Sequence, residues 1–203
     1  MIAALYIDAN GPYPHIPGID CWDIDRDATQ YNGEGPLILH PPCGHWGRYS
    51  HKAHDDGHTG PLAVAQVRKW GGVLEHPKDS KLWAKCGIPK PGEFPDQWGG
   101  YSILVFQRDW GHRADKATWL YIVGCPPDTL PDQPLPQPPR SGWTPKKRML
   151  RTQKDLSRHW SGTRGILECM SKKQRRLTPL AFAEWLVEVV KQIPSKRKPR
   201  YMK

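Results

Sequence analysis

The chain has 203 residues, with 30 Lys/Arg against 20 Asp/Glu and a formal net charge of +10. That length suits one domain able to bury a core without covalent staples, and no apolar run reaches bilayer-spanning length, which excludes a helical membrane protein. Residues 1–139 carry 12 basic and 16 acidic side chains (net −4) and residues 140–203 carry 18 and 4 (net +14), so a mildly acidic body precedes a basic end suited to a polyanion, above all nucleic acid.

Residues 2–7 form a short apolar run closed by Asp8 and broken at Asn10-Gly11-Pro12, which predicts a buried strand and a turn. Weak alternation over 19–24, with Asp20, Asp23 and Asp25 nearby, predicts a second strand. Pro36 to His40 predicts a third, stopped by Pro41-Pro42. Residues 44–60 read as a polar loop. Residues 61–70 read as a helix with Leu62, Ala65, Val67 and Trp70 on its apolar side, ended by Gly71-Gly72. Residues 72–75 give a short strand cut by Pro77, and residues 80–86 a short helix capped by Ser80. Residues 101–107 and 118–123 are the clearest strands and can form a hairpin. Residues 126–139 are a proline-dense connector. Thr178 and Pro179 begin a last helix, whose apolar side carries Phe182, Trp185, Leu186, Val189 and Ile193.

This order implies an α/β fold with a mainly parallel sheet and a late antiparallel hairpin. It divides into a body over 1–125, a connector and basic segment over 126–176, and a helix with a basic tail over 177–203. The ten tryptophans argue against general disorder despite 22 prolines and 19 glycines. The N-terminal run has no basic flank, so no signal peptide is expected. Five cysteines (Cys21, Cys43, Cys86, Cys125, Cys169), with no CxxC pair, predict a reduced, cytoplasmic protein.

In such sheets ligands bind beyond the carboxyl ends of the strands, which selects the residues just after each strand. Cys43 follows two prolines that fix its backbone, and a thiolate there is a candidate nucleophile. The plainer reading is a core cysteine after a rigid turn. Glu75 ends the next strand; an acid on a short apolar strand needs a partner or a function. A thiol beside a protonatable carboxyl suits addition to a pyrimidine ring, with the thiolate attacking C6 and the acid serving N3. A salt bridge is the plainer role for Glu75.

Pro41-Pro42-Cys43 resembles the Pro-Pro-Cys motif of cytosine-C5 DNA methyltransferases, and Glu75-His76-Pro77 resembles that family's Glu-Asn-Val motif. Gln107, Arg108 and Arg113 stand where the family has a Gln/Arg-rich motif. Over residues 2–123 the order of motifs is similar to the family's, and the whole resembles compact methyltransferase-like proteins of phages and prophages. The resemblance implies a Rossmann-like methyltransferase sheet, Cys43 as covalent nucleophile, Glu75 at N3, and Arg108 or Arg113 supporting Glu75 and the base carbonyl. It implies S-adenosylmethionine as cofactor, held by Asp8, Asn10, Gly11, Asp23, Asp25 and Pro41. Residues 124–175 are too few for the family's usual target-recognition domain, which implies little sequence context or a partner protein that supplies it.

Two further features flank this core. Cys43, His45, His51, His54 and His58 crowd one loop with Asp55 and Asp56. His54-x3-His58 has metal-ligand spacing that could serve zinc, but without a CxxC or HExxH pattern a loop contacting phosphate or base through Arg48 and His51 is the preferred reading. Lys146, Lys147, Arg148, Arg151 and Arg164, interleaved with Trp143 and Trp160, suit phosphate contact plus base stacking. The leading expectation is therefore a DNA cytosine-C5 methyltransferase-like enzyme. A catalytically inactive DNA-binding relative and a pyrimidine-modifying enzyme with another one-carbon donor are the alternatives. A metal-dependent nuclease comes last.

Overall fold

A computed structural model describes residues 1–47, 50–53, 58–137, 174 and 176–194. The elements are β1 (Ile2–Leu5), β2 (Ile19–Trp22), β3 (Leu37–Leu39), α1 (Thr59–Trp70), β4 (Gly72–Pro77), α2 (Lys81–Cys86), β5 (Gly100–Phe106), β6 (Ala117–Val123) and α3 (Leu180–Lys191). They build one six-stranded sheet in the order β2-β1-β3-β4-β6-β5. The pairings β2–β1, β1–β3 and β3–β4 are parallel, and β6 runs antiparallel to both its neighbours. The expected α/β class with a mainly parallel sheet and a late hairpin is thus observed.

Successive strand residues point to opposite faces, and here both faces are covered, so β1 and β3 can be apolar throughout. Leu5, Leu37, Leu39 and Leu74 face α1 and α2 and join Val64, Val67, Leu82 and Trp83 in one core. Ala4, Ile38, Val73, Leu120 and Ile122 face α3 and join Phe182, Leu186 and Val190 in the other. The chain leaves β1 for β2 on one side and later enters β3 on the other, so the order in which strands are added reverses between the parallel neighbours β1 and β3. That reversal is where α/β sheets open a crevice at their carboxyl ends.

Three local expectations differ from the structure. The buried face of α1 is Gly60, Ala63, Val64 and Val67, while Leu62 is exposed. Apolar residues lie on two adjacent sides of this helix, and a close contact selects between them: a Cβ on Gly60 would stand 2.5 Å from Trp46 Nε1. β4 runs through to Pro77, because that residue pairs with Thr118 at the end of the ladder. Thr178 does not cap α3; Pro179 takes the cap position, and its carbonyl accepts from Phe182 and Ala183 N–H. Ser80 caps α2 as expected.

The connector lies along α3: the Trp185 indole donates to the carbonyls of Pro131 and Asp132. Its last described residue, Gln137, donates its N–H to Asp109.

Candidate active site

β3 delivers His40 and then the Pro41-Pro42-Cys43 turn to the carboxyl end of the sheet. The turn is held from both sides: His40 N–H bonds the Leu5 carbonyl, and the Cys43 carbonyl accepts from Trp46 and Gly47 N–H. Trp46 is buried in the α1-side core and anchors the loop there. Cys43 itself is exposed. Its neighbours nonetheless crowd the thiol: desolvation and the negative charge of Glu75 push it above its ordinary range, against the opposing pull of Arg176 and Lys116. Cys43 and Glu75, assigned to one mouth from sequence, thus lie close enough for the carboxylate to raise the thiol.

Glu75 is the centre of a chain of hydrogen bonds across four elements. The Tyr13 hydroxyl meets His40 Nε2 at 2.6 Å, and His40 Nδ1 meets Glu75 Oε2 at 3.0 Å. Gln107 Nε2 donates to the other carboxylate oxygen at 3.0 Å and to Thr118 Oγ1 at 3.1 Å. Burial alone would raise the Glu75 carboxyl, but His40 by hydrogen bond and charge, and Lys116 and His76 by charge, outweigh it and lower it to about 2. Glu75 thus stands as a carboxylate with both oxygens occupied. Tyr13 is buried, and burial with the nearby carboxylate holds its hydroxyl well above its ordinary range, so it keeps its proton.

Sequence reasoning gave Arg108 and Arg113 the support of Glu75; the structure gives that contact to Gln107. Arg108 is turned to Asp115 and Asp109. Arg113 is exposed, and among the described residues no hydrogen bond or ion pair joins it to Glu75. The cation near the acid is Lys116, at the foot of β6. Its backbone takes a left-handed φ of 42°, and its ammonium donates to the Leu177 and Arg176 carbonyls at 2.8 and 3.4 Å. The approach to α3 is pinned to the mouth in this way. Desolvation lowers the Lys116 ammonium, partly offset by Glu75 and Cys43.

Tyr13, His40 and Lys116 carried no assigned role in the sequence. His40 gave the same signal as Glu75, a polar side chain closing a buried strand. Tyr13 and Lys116 gave none: one lies among prolines, the other in a charged turn. His76, next to Glu75, points to the other face and lies against Trp83 with ring centroids 6.2 Å apart. Neither of its ring nitrogens makes a well-formed hydrogen bond, and burial pushes it down to about 4, so it is neutral.

The residues assigned to S-adenosylmethionine lie at the ends of β1, β2 and β3 without forming a ready donor set. Asn10 N–H donates to Asp8 Oδ1 and Gly11 N–H to the Asp8 carbonyl, so both amides are spent within the turn. Pro12 and Pro14 have no amide to give, and Tyr13 between them is turned into the core. Asp23 Oδ1 accepts from the amides of Asp25 and Arg26, Asp25 is exposed, and Pro41 is buried. As arranged, these residues do not fit the cofactor's carboxylate.

Of the residues assigned to nucleic acid, His51 is exposed on a single 3₁₀ turn over Ser50–Lys52. Arg48, Lys146, Lys147, Arg148, Arg151, Trp160 and Arg164 lie outside the described residues, as does His54 of the proposed zinc spacing. Among the described residues no group of three or more His, Cys, Asp or Glu gathers as a metal-binding set, and no helix is long and apolar enough to cross a membrane. Comparison with family models, curated proteins and solved structures gives no match.

Proposed function

We propose that the chain is a DNA-modifying enzyme of the cytosine-C5 methyltransferase kind, acting with a compact Rossmann-like body and a basic arm. The observation that carries this reading is Cys43 and Glu75 at the carboxyl ends of the adjacent parallel strands β3 and β4, close enough for the Glu75 charge to act on the Cys43 thiol. Cys43, its thiol proton first lost to solvent, would add as a thiolate to C6 of the ring. The displaced electron pair shifts toward C4 and N3, where Glu75 supplies the stabilising contact, and C5 becomes nucleophilic. One-carbon transfer to C5 would follow from that state.

S-adenosylmethionine is the donor the resemblance implies, but the committed amides after β1 do not suit it, so no step is drawn through it. The same observation favours the second reading, a pyrimidine-modifying enzyme with a different one-carbon donor. A test that needs no donor is exchange of the cytosine C5 hydrogen for deuterium in DNA, since C5 takes up and loses a proton once C6 carries the thiolate. Exchange in the wild type and none in Cys43→Ser is the expected result. Absence of exchange, together with no covalent trapping on 5-fluorocytosine DNA in the presence of S-adenosylmethionine, would overturn the reading. Calorimetry with S-adenosylmethionine separates the two donors.

A further inference from the structure

Glu75 presents a difficulty for the chemistry just proposed. Addition at C6 leaves negative charge on the ring that is best quenched by a proton at N3, yet Glu75 is held as a carboxylate with both oxygens accepting. The proton must come from a neighbour. Gln107 cannot release one, and Tyr13 is held far from ionisation. His40 remains, 3.0 Å from Oε2 on one ring nitrogen and 2.6 Å from the Tyr13 hydroxyl on the other. Imidazole is also the side-chain type that exchanges a proton near neutral pH.

We propose that His40 is a proton-storing, positioning residue that delivers the N3 proton through Glu75, with Tyr13 as the partner that serves both of its charge states. In the charged state, His40 Nδ1–H donates to Glu75 and Nε2–H donates to the Tyr13 oxygen. As the Cys43 Sγ–C6 bond forms, the Nδ1 proton passes to the Glu75 carboxylate and a carboxyl proton passes to N3. Nε2–H goes on donating to the Tyr13 oxygen, which holds the neutral imidazole in the tautomer whose bare Nδ1 faces Glu75. One proton leaves His40, one reaches the ring, and Tyr13 keeps its own. The groups facing Glu75 are His40 from β3, Tyr13 from the turn after β1, Lys116 from the foot of β6, Gln107 after β5 and Cys43 from its loop, while His76 acts on its charge from the opposite face of β4. Gln107 bonds both Glu75 and Thr118 but has no proton to release, and Lys116 gives its ammonium to the Leu177 and Arg176 carbonyls, so among the described residues His40 is the titratable group hydrogen-bonded to Glu75.

The inference rests on the proposed reaction, so its test has one arm that does not. In the free protein, Glu75 followed by carbon-13 carboxyl NMR should stay ionised to strongly acid pH, and in His40→Gln its titration should move upward. An unchanged Glu75 titration overturns the coupling whatever the reaction. In the second arm, C5–hydrogen exchange is followed from pH 5.5 to 9. The wild type should lose rate as pH rises through one ionisation. His40→Gln should lack that limb and fall by about 100-fold at neutral pH, the usual size of a general-acid contribution. Tyr13→Phe, which keeps the imidazole but removes the oxygen that receives Nε2–H, should move the limb to lower pH. A pH profile equal to wild type in His40→Gln overturns the inference while leaving the reaction standing. No exchange in the wild type counts against the reaction instead, and the carboxyl titration alone then decides whether His40 governs Glu75. Thermal unfolding of each variant checks that it is folded.

Discussion

Two neighbouring residues of β4 show how one strand can serve chemistry on one face and only packing on the other. Glu75 points toward α3 and meets His40 and Gln107; His76 points toward α2 and meets Trp83. His76 is neutral because burial penalises its charged form, which lowers it from 6.5 to about 4. The unfolded chain takes up that proton as pH falls through 6.5, while the folded chain resists until about 4. Stability contributed by the neutral histidine is therefore present above 6.5 and drains away toward 4, by about 3 kcal/mol in all. Glu75, lowered from 4.5 to about 2, stabilises above 4.5 and loses that contribution between 4.5 and 2. The windows overlap only slightly. His76→Phe is expected to flatten the decline between pH 6.5 and 5 in urea unfolding and to leave the more acid decline in place. A slope equal to wild type across that window would show that His76 is charged in the folded state. Cys43 and Glu75 were legible in the sequence because a thiol and an acid at strand ends, one directly after a proline and the other two positions before one, are poor core choices. Tyr13 and His40 were not, because a bond across 27 positions depends on how an aperiodic turn folds back over the sheet.

At the scale of elements, the α1–β4 junction decides whether Glu75 arrives beside Cys43 at all. Gly71-Gly72 was legible as the end of a helix. Its tightness was not, because it is a relation to a strand thirty-odd positions earlier. Gly72 has φ 136°, and a Cβ there would fall 2.0 Å from the Leu37 carbonyl oxygen. That carbonyl is main chain of a central strand and cannot move aside without breaking the β3 pairings. Gly72→Ala should therefore destabilise the protein by about 3 kcal/mol or more, read as a fall in the denaturant midpoint at unchanged slope. A loss below about 0.5 kcal/mol, the range of an ordinary surface change, would mean that β3 and β4 are less closely apposed than described. The same reasoning explains the misplaced face of α1. Binary patterning offered two adjacent apolar sides, and the choice fell to Gly60, whose missing side chain makes room for Trp46 and Leu82. Trp46 in turn anchors the turn that carries Cys43, so a helix glycine sets the position of the candidate nucleophile.

For the whole molecule, the division of charge assigns different work to its two ends. The body, at −4, holds the sheet and the carboxylate chain, and the +14 end holds the cations proposed to grip DNA. The two are tied together at Lys116, whose ammonium binds the carbonyls just before α3, and at Trp185, whose indole binds the connector. The described residues on either side of 138–173 are held to the body, Gln137 at Asp109 and Leu177 at Lys116. Because phosphate binding releases condensed counterions, each cation that contacts a phosphate adds about 0.9 to the dependence of log affinity on log salt. Replacing Lys146, Lys147 and Arg148 together with glutamine should therefore lower that slope by about 3 and weaken binding to unrelated sequences alike. The thermal midpoint of the triple variant is measured alongside, so that lost binding is distinguished from lost folding. Fluorescence anisotropy with duplexes of several sequences between 50 and 200 mM salt reads the slope directly. A triple variant with the wild-type slope would remove this segment from the DNA contact and shift the search to Arg48 and His51, beside Cys43 in sequence.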